Sequence, residues 1–200
     1  MDDTEDNTAL EENEILRRTN RLYLTVILRY RDHIEKSEAL YMPDLPRLIE
    51  PDNPSVAALA AGISSSFNGY DYNRDFIAAA DKAFKYIKSN IHAISVPVQF
   101  WQKPNETLEN RAGDVFDMSV LLCSVLIKLN CPSSRVVLAI NDEKHVAVTA
   151  DFDSKIIAYS FEKENGGSIE FSNIRQVKYW LHVESDAQAY AFNNINCMGL

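Results

Sequence analysis

The chain has 200 residues, 46% hydrophobic and 24% charged, with a formal net charge of −9. That length suits a single domain with a sizeable core, and the composition excludes a chain disordered throughout. No apolar run reaches bilayer-spanning length, which excludes a membrane span, and the acid excess argues against nucleic acid as a partner.

The charge is unevenly spread. Asp2, Asp3, Glu5, Asp6, Glu11, Glu12 and Glu14 precede the first basic residue, Arg17; the remaining 22 acidic residues face 20 basic ones. The opening segment lacks the basic and apolar regions of a signal peptide, which predicts a cytoplasmic protein. Cys123, Cys131 and Cys197 are an odd and scattered set, with neither metal-ligand spacing nor a disulfide framework. No metal and no cofactor is expected.

Residues 1–8 read as a flexible acidic tail, and 9–53 as an N-terminal helix and a connection. In that helix, from about 10 to 38, Ile15, Thr19, Leu22, Val26 and Tyr30 share one side, and Leu16, Tyr23, Ile27 and Ile34 widen it. A stripe this broad is expected to face a core. The opposite side carries Arg17, Arg21, Leu24, Leu28, Arg31 and Glu35. Leu24 and Leu28 among arginines predict a homodimer contact. Four prolines make 41–54 an irregular connection.

Residues 54–200 read as the main part of the single domain. Asn53 before Pro54 is an N-cap with proline in the first turn, and Val56, Leu59, Ala60, Ile63 and Phe67 give the helix one face. Asn68-Gly69 ends it. A helix over 73–89 turns Phe76, Ile77, Ala80, Phe84 and Ile87 inward. Residues 94–101 are extended, and Pro97 forbids a central strand there. A loop through Lys103-Pro104-Asn105 leads into the stretch on which the chain is centred, 111–130.

There, Gly113 suits a turn with an unusual backbone angle, and Asp114 is a strong helix N-cap with Asp117 three residues on. Val115, Met118, Leu122, Val125 and Leu129 recur at 3-4 spacing, one continuous helical stripe. The start of such a helix lowers a thiol's pKa and aims backbone amides at a developing oxyanion. Valine stands at that position, and a capped core helix without chemistry accounts for the stretch. Strands follow at 135–140, 145–150 and 155–161, with turns at Asn141-Asp142 and 151–153. Gly166-Gly167 marks a loop, and 168–171, 177–183 and 187–192 read as further strands. Helices first and then an antiparallel sheet make the fold α+β.

Four runs carry a family resemblance. Gln102-Lys103-Pro104-Asn105-Glu106-Thr107-Leu108 resembles the Gln-x-Pro-x-Glu-Thr-Leu run before a catalytic helix. Gly113-Asp114-Val115-Phe116-Asp117 through Leu122 is similar to Gly-Asp-Cys-x-Asp-x-Ser/Ala-x-Leu-Leu. Leu129-Asn130-Cys131-Pro132-Ser133-Ser134-Arg135-Val136-Val137 resembles Leu-Gly-Ile-x-x-Arg-Val-Val. His145-Val146-Ala147-Val148 resembles His-Ala-Trp-Val. Together, over about residues 54–162, they resemble the transglutaminase-like superfamily, with its papain-like cysteine-peptidase core, in its small prokaryotic and archaeal form.

The resemblance implies a site. In that family a cysteine attacks a carbonyl carbon, a histidine takes its proton and an aspartate orients the histidine. Position by position, the nucleophile falls on Val115, the base on His145 and the acid on Ser160, so only His145 keeps the expected chemistry. Glu162 serves as orienter if the hairpin register differs by two. Cys123 lies more than two turns along the helix and Cys131 beyond it; both read as core residues. Ser119 sits four residues from Val115 on the same face.

These features imply a non-catalytic transglutaminase-like domain that binds a protein or peptide, with Phe100, Trp101 and Phe116 as aromatic walls. The alternative is a cysteine-type hydrolase or acyltransferase whose nucleophile is replaced at 115. A purely structural oligomer-former built on the N-terminal helix is a third.

Overall fold

A computed structural model describes residues 3–140, 144–162, 168–181 and 188–200, the side chains of 3–12 and 144 excepted. The expected turn at 141–142, the loop at 166–167, His182 and Ala187 lie outside the described residues. Among those described, no helix is long and apolar enough to cross a membrane.

The chain divides into two compact units, one of residues 1–39 with 96–100, the other of 40–95 with 101–200. The first is built on helix α1 (Asp3–Arg29) and the short α2 (Arg31–Ser37). Here the sequence expectation needs correcting. Ile15, Leu16, Leu22, Tyr23, Val26 and Tyr30, whose periodicity assigns them to a core, are all exposed, Ile15 by 63% and Leu22 by 61%. Leu24 and Leu28 on the other side are exposed as well. Periodicity reports that a helix has an apolar face; it does not say what covers that face.

The second unit holds the core. Residues 42–48, expected to be irregular, form a 3-10 helix that buries Leu45 and Leu48. Its two prolines are tolerated because the element is short and little depends on their missing N–H groups. Helix α3 (Pro54–Ser64) starts where Asn53 accepts the N–H of Ser55, with Pro54 in the first turn. Gly69, at φ 70°, takes the left-handed turn after it. Helix α4 (Tyr72–Asn90) is capped by Asp71 and buries Phe76, Ala79, Ala80, Ala83, Phe84 and Ile87.

Two-residue strands β1 (His92–Ala93) and β2 (Ala112–Gly113) pair in parallel. Between them, 104–110 is not a loop but helix α5 (Pro104–Asn110). Pro104 suits its first turn, and Glu106 reaches back to accept the N–H of Lys103 at 2.8 Å. Helix α6 (Val115–Lys128) is the centre of the unit: every residue from Phe116 to Leu126 is buried. The sequence shows one stripe, but the helix is enclosed all round.

Strands β3 (Arg135–Ile140), β4 (Lys144–Phe152), β5 (Lys155–Tyr159), β6 (Ile169–Phe171), β7 (Gln188–Phe192) and β8 (Cys197–Gly199) form one antiparallel sheet, in the order β6-β5-β4-β3-β7-β8. Side chains alternate between its faces. Val136, Leu138, Val146, Val148, Ile157 and Tyr159 join the cluster of α3, α4 and α6. Val137, Ala147 and Ala191 belong to a smaller cluster with Val177 and Leu181. Those last two come from helix α7 (Ile174–Trp180) and the residue after it, a segment whose aromatic and β-branched residues read as a strand. Asn173 decides otherwise: its side chain caps the N–H groups of Arg175 and Gln176, and Ile174, Val177 and Leu181 then line one helical face.

Candidate functional site

The start of α6 is held by a closed polar network. Asp114 accepts the N–H of Asp117 at 2.9 Å, and Asp117 accepts the N–H of Asp114 at 3.0 Å. Two of the amides orphaned at a helix N-terminus are thus satisfied reciprocally. Asp117 is buried and takes two more hydrogen bonds, from the backbone N–H of Gln102 at 3.2 Å and from its Nε2 at 3.1 Å. Burial, with the Asp114 charge beside it, pushes the Asp117 carboxyl up to about 6, against the pull of these donors.

Gln102 is itself fully engaged. Its Nε2 also donates to the carbonyl of Ala112 at 3.0 Å, and its Oε1 accepts from Asn110 Nδ2 at 2.8 Å. A side-chain amide tied to three partners is committed to holding the turn in place. Gly113 serves the same turn, for a reason different from the expected one. It does not adopt a left-handed angle, which falls to Arg111 at φ 51°. A Cβ at 113 would stand 3.0 Å from the Cβ of Asp117 and 3.3 Å from Thr107 Cγ2, so glycine is needed for close approach.

Val115 occupies the first helical position that this network fixes. Its side chain packs against the main core, and its carbonyl accepts the Ser119 hydroxyl at 2.7 Å. Ser119 is buried and bonded back onto its own helix, so it does not stand in for a nucleophile. Cys123 is fully buried and its thiol is pushed well above the ordinary range by desolvation. Cys131 is buried too, 3.3 Å from the hydroxyl of Ser133 and 3.5 Å from that of Tyr72. A thiol attacks as thiolate, and the burial of Cys123 opposes its formation there.

His145 lies at the start of β4, and the β4–β5 ladder pairs Val148 with Tyr159. Continued to the end of the hairpin, that register sets Glu162 directly opposite His145 and Ser160 opposite Ala147. His145 Nδ1 and Glu162 Oε2 stand 3.2 Å apart, with both side chains about a fifth exposed. Glu162 Oε1 accepts the N–H of Val146 at 2.8 Å, which fixes the carboxylate in place. Ser160, the acid position the resemblance implies, is buried. Its hydroxyl donates to the carbonyl of Val146 at 3.1 Å and accepts the N–H of Glu162 at 3.2 Å. The structure thus joins His145, Ser160 and Glu162 in one hydrogen-bonded group, with the carboxylate two residues later than the family spacing.

Trp101 and Phe116 meet edge to face at 4.8 Å, and Phe116 stacks on Phe192 at 6.0 Å. Phe116 is buried, so it is a core residue; Phe100 belongs to the other compact unit. Among the described residues no group of three or more His, Cys, Asp or Glu side chains is placed to hold a metal ion.

Comparison with solved structures recovers LapG of Legionella pneumophila. The chain matches it at 12% identity and a TM-score of 0.51, over 76% of this chain and 88% of that one. The fold is transglutaminase-like. An EGTA-treated form of LapG matches at the same identity and TM-score, over 86% of its length. No family model and no curated protein sequence matches the chain. At this identity the likeness concerns the fold alone and carries nothing about activity.

Proposed function

We propose that this chain is a pseudoenzyme, a transglutaminase-like domain that binds a protein or peptide and does not turn it over. One observation carries the reading: valine fills the helix-start position that the family resemblance assigns to the nucleophile. Valine has no lone pair with which to attack a carbonyl or hold an acyl group. The neighbouring groups do not replace it, since Ser119 is bonded to its own helix and Cys123 and Cys131 are buried. The reading includes a cytoplasmic location, supported by three free cysteines, which suit a reducing compartment.

A peptide array probed with the purified chain tests this. The expected result is saturable binding of particular sequences, with each peptide recovered at its original mass. Cleaved or amine-modified peptide overturns the proposal, as does an array on which nothing binds.

A second reading, a cysteine-type hydrolase or acyltransferase with its nucleophile replaced, is favoured by a different observation. His145 has a carboxylate partner in Glu162, as a working general base would. Val115→Cys separates the two readings, because only the second expects this variant to acquire turnover.

A further inference from the structure

The face of the sheet that a residue takes decides whether it can reach α6. We infer that, with the sheet faces taken into account, the nucleophile, base and acid positions of the site fall on Val115, Val146 and Phe161, and that His145 and Glu162 form a separate dyad on the opposite face. The inference deepens the pseudoenzyme reading and rests on it: the site is not a triad short of one sulfur but one filled throughout by core side chains.

Helix α6 packs against β3 and β4. Along a strand, successive side chains point to opposite faces. On β4, Val146, Val148 and Ala150 join the cluster that contains the α6 residues, and Val115 packs against that same cluster. Ala147 belongs instead to the smaller cluster with Val177 and Leu181. His145 lies two residues before Ala147 and so shares its face. Its partner on β3, Ala139, lies two residues after Val137, another member of the smaller cluster. A shift of one residue exchanges the faces of a strand, so the β4 side chain beside His145 that turns toward α6 is Val146.

Strand β5 agrees. Val148 pairs with Tyr159, and the same register sets Phe161 opposite Val146. Tyr159 is part of the α6 cluster, and Phe161 packs against it and stacks on Phe84 of α4 at 4.6 Å. Ser160 and Glu162 therefore turn to the face of His145. There Glu162 holds both His145 Nδ1 and the Val146 N–H, so the dyad clasps the end of the β4–β5 hairpin. On the α6 side an imidazole or a carboxylate would need polar partners within a core, whereas valine and phenylalanine need none.

The pH dependence of alkylation by iodoacetamide, read by mass spectrometry at position 115 in the full chain carrying Val115→Cys, tests the inference. Adding His145→Ala is expected to leave the apparent pKa of that thiol unchanged. Adding Val146→His is expected to lower it by about one unit or more, as an imidazolium beside a thiol does. A rise of about one unit on adding His145→Ala would place that imidazole at the helix start and overturn the inference. A folded Val146→His variant with an unmoved profile overturns it too, and the His145→Ala comparison decides alone where Val146→His does not fold. Turnover by the unaltered chain would sink the pseudoenzyme reading and leave these thiol profiles as they are, so the two failures are told apart.

Discussion

His145 and Glu162 face each other across the β4–β5 hairpin, Nδ1 to Oε2 at 3.2 Å, with the other carboxylate oxygen bound to the N–H of Val146. The second bond gives Glu162 a structural part that does not depend on any chemistry. Glu162→Ala leaves the Val146 N–H without its acceptor and is expected to cost about 1 kcal/mol in denaturant unfolding. Glu162→Gln keeps an acceptor oxygen and should cost less. Amide exchange at Val146 should speed up in the alanine variant and much less in the glutamine variant.

Asp117 links the helix start to pH. Its carboxyl is raised from 3.8 to about 6, so between those values the folded chain binds more protons than the unfolded one. By linkage this residue's contribution to stability is greatest below about pH 4 and declines as pH rises to about 6, by roughly 3 kcal/mol at most. Asp117→Asn should be less stable at pH 4, because an amide cannot accept all the bonds from Gln102 and Asp114. Its unfolding free energy should also lose the fall between pH 4 and 6 relative to wild type. Parallel profiles for the two proteins would contradict this account.

Two glycines separate strain from crowding. Gly69 has φ 70° with nothing within 4 Å of an added Cβ, whereas Gly113 has ordinary φ and a crowded Cβ position. Gly69→Ala is expected to cost about 1 kcal/mol through backbone strain. Gly113→Ala is expected to cost about 1–3 kcal/mol through overpacking against Asp117 and Thr107. Trimming the neighbour with Thr107→Ser should recover part of the Gly113→Ala loss and none of the Gly69→Ala loss, as a double-mutant cycle in urea would show.

The sequence revealed those features that depend on neighbours along the chain. Asn53 before Pro54, Asp114 three residues before Asp117, and the 3-4 spacing from Val115 to Leu129 each act within one or two turns, and the structure has all three. Local patterns failed where a distant partner decides. The α1 stripe has helical spacing, but spacing does not say what covers it. Val177–Trp180 has strand-forming residues, and the Asn173 cap together with the face offered by Val137 and Ala147 turns it into a helix. In the site, Val115 and His145 were named from the family pattern. The carboxylate beside His145 depends on hairpin register, which no single strand contains, so the sequence offered Ser160 or, with the register shifted by two, Glu162, and the structure sets Glu162 3.2 Å from the imidazole.

If the helix start is spent on structure, restoring sulfur there should not restore chemistry. Val115→Cys places a thiol at the first turn of α6, where the helix dipole favours thiolate. It should alkylate faster than Cys197, whose thiol is raised by burial, but with the Asp114 and Asp117 amides already bonded to carboxylates it should not hydrolyse thioesters or activated amides above background. Burst release of the leaving group followed by steady turnover would show that the oxyanion site survives.

The most direct test of the central claim is the rate of acyl transfer by the unaltered chain, measured by mass spectrometry on glutamine-containing peptides with and without a primary amine. Wild type and His145→Ala should be indistinguishable, and both equal to buffer alone. A wild-type rate above buffer that disappears in His145→Ala would show that the site is catalytic and contradict the account.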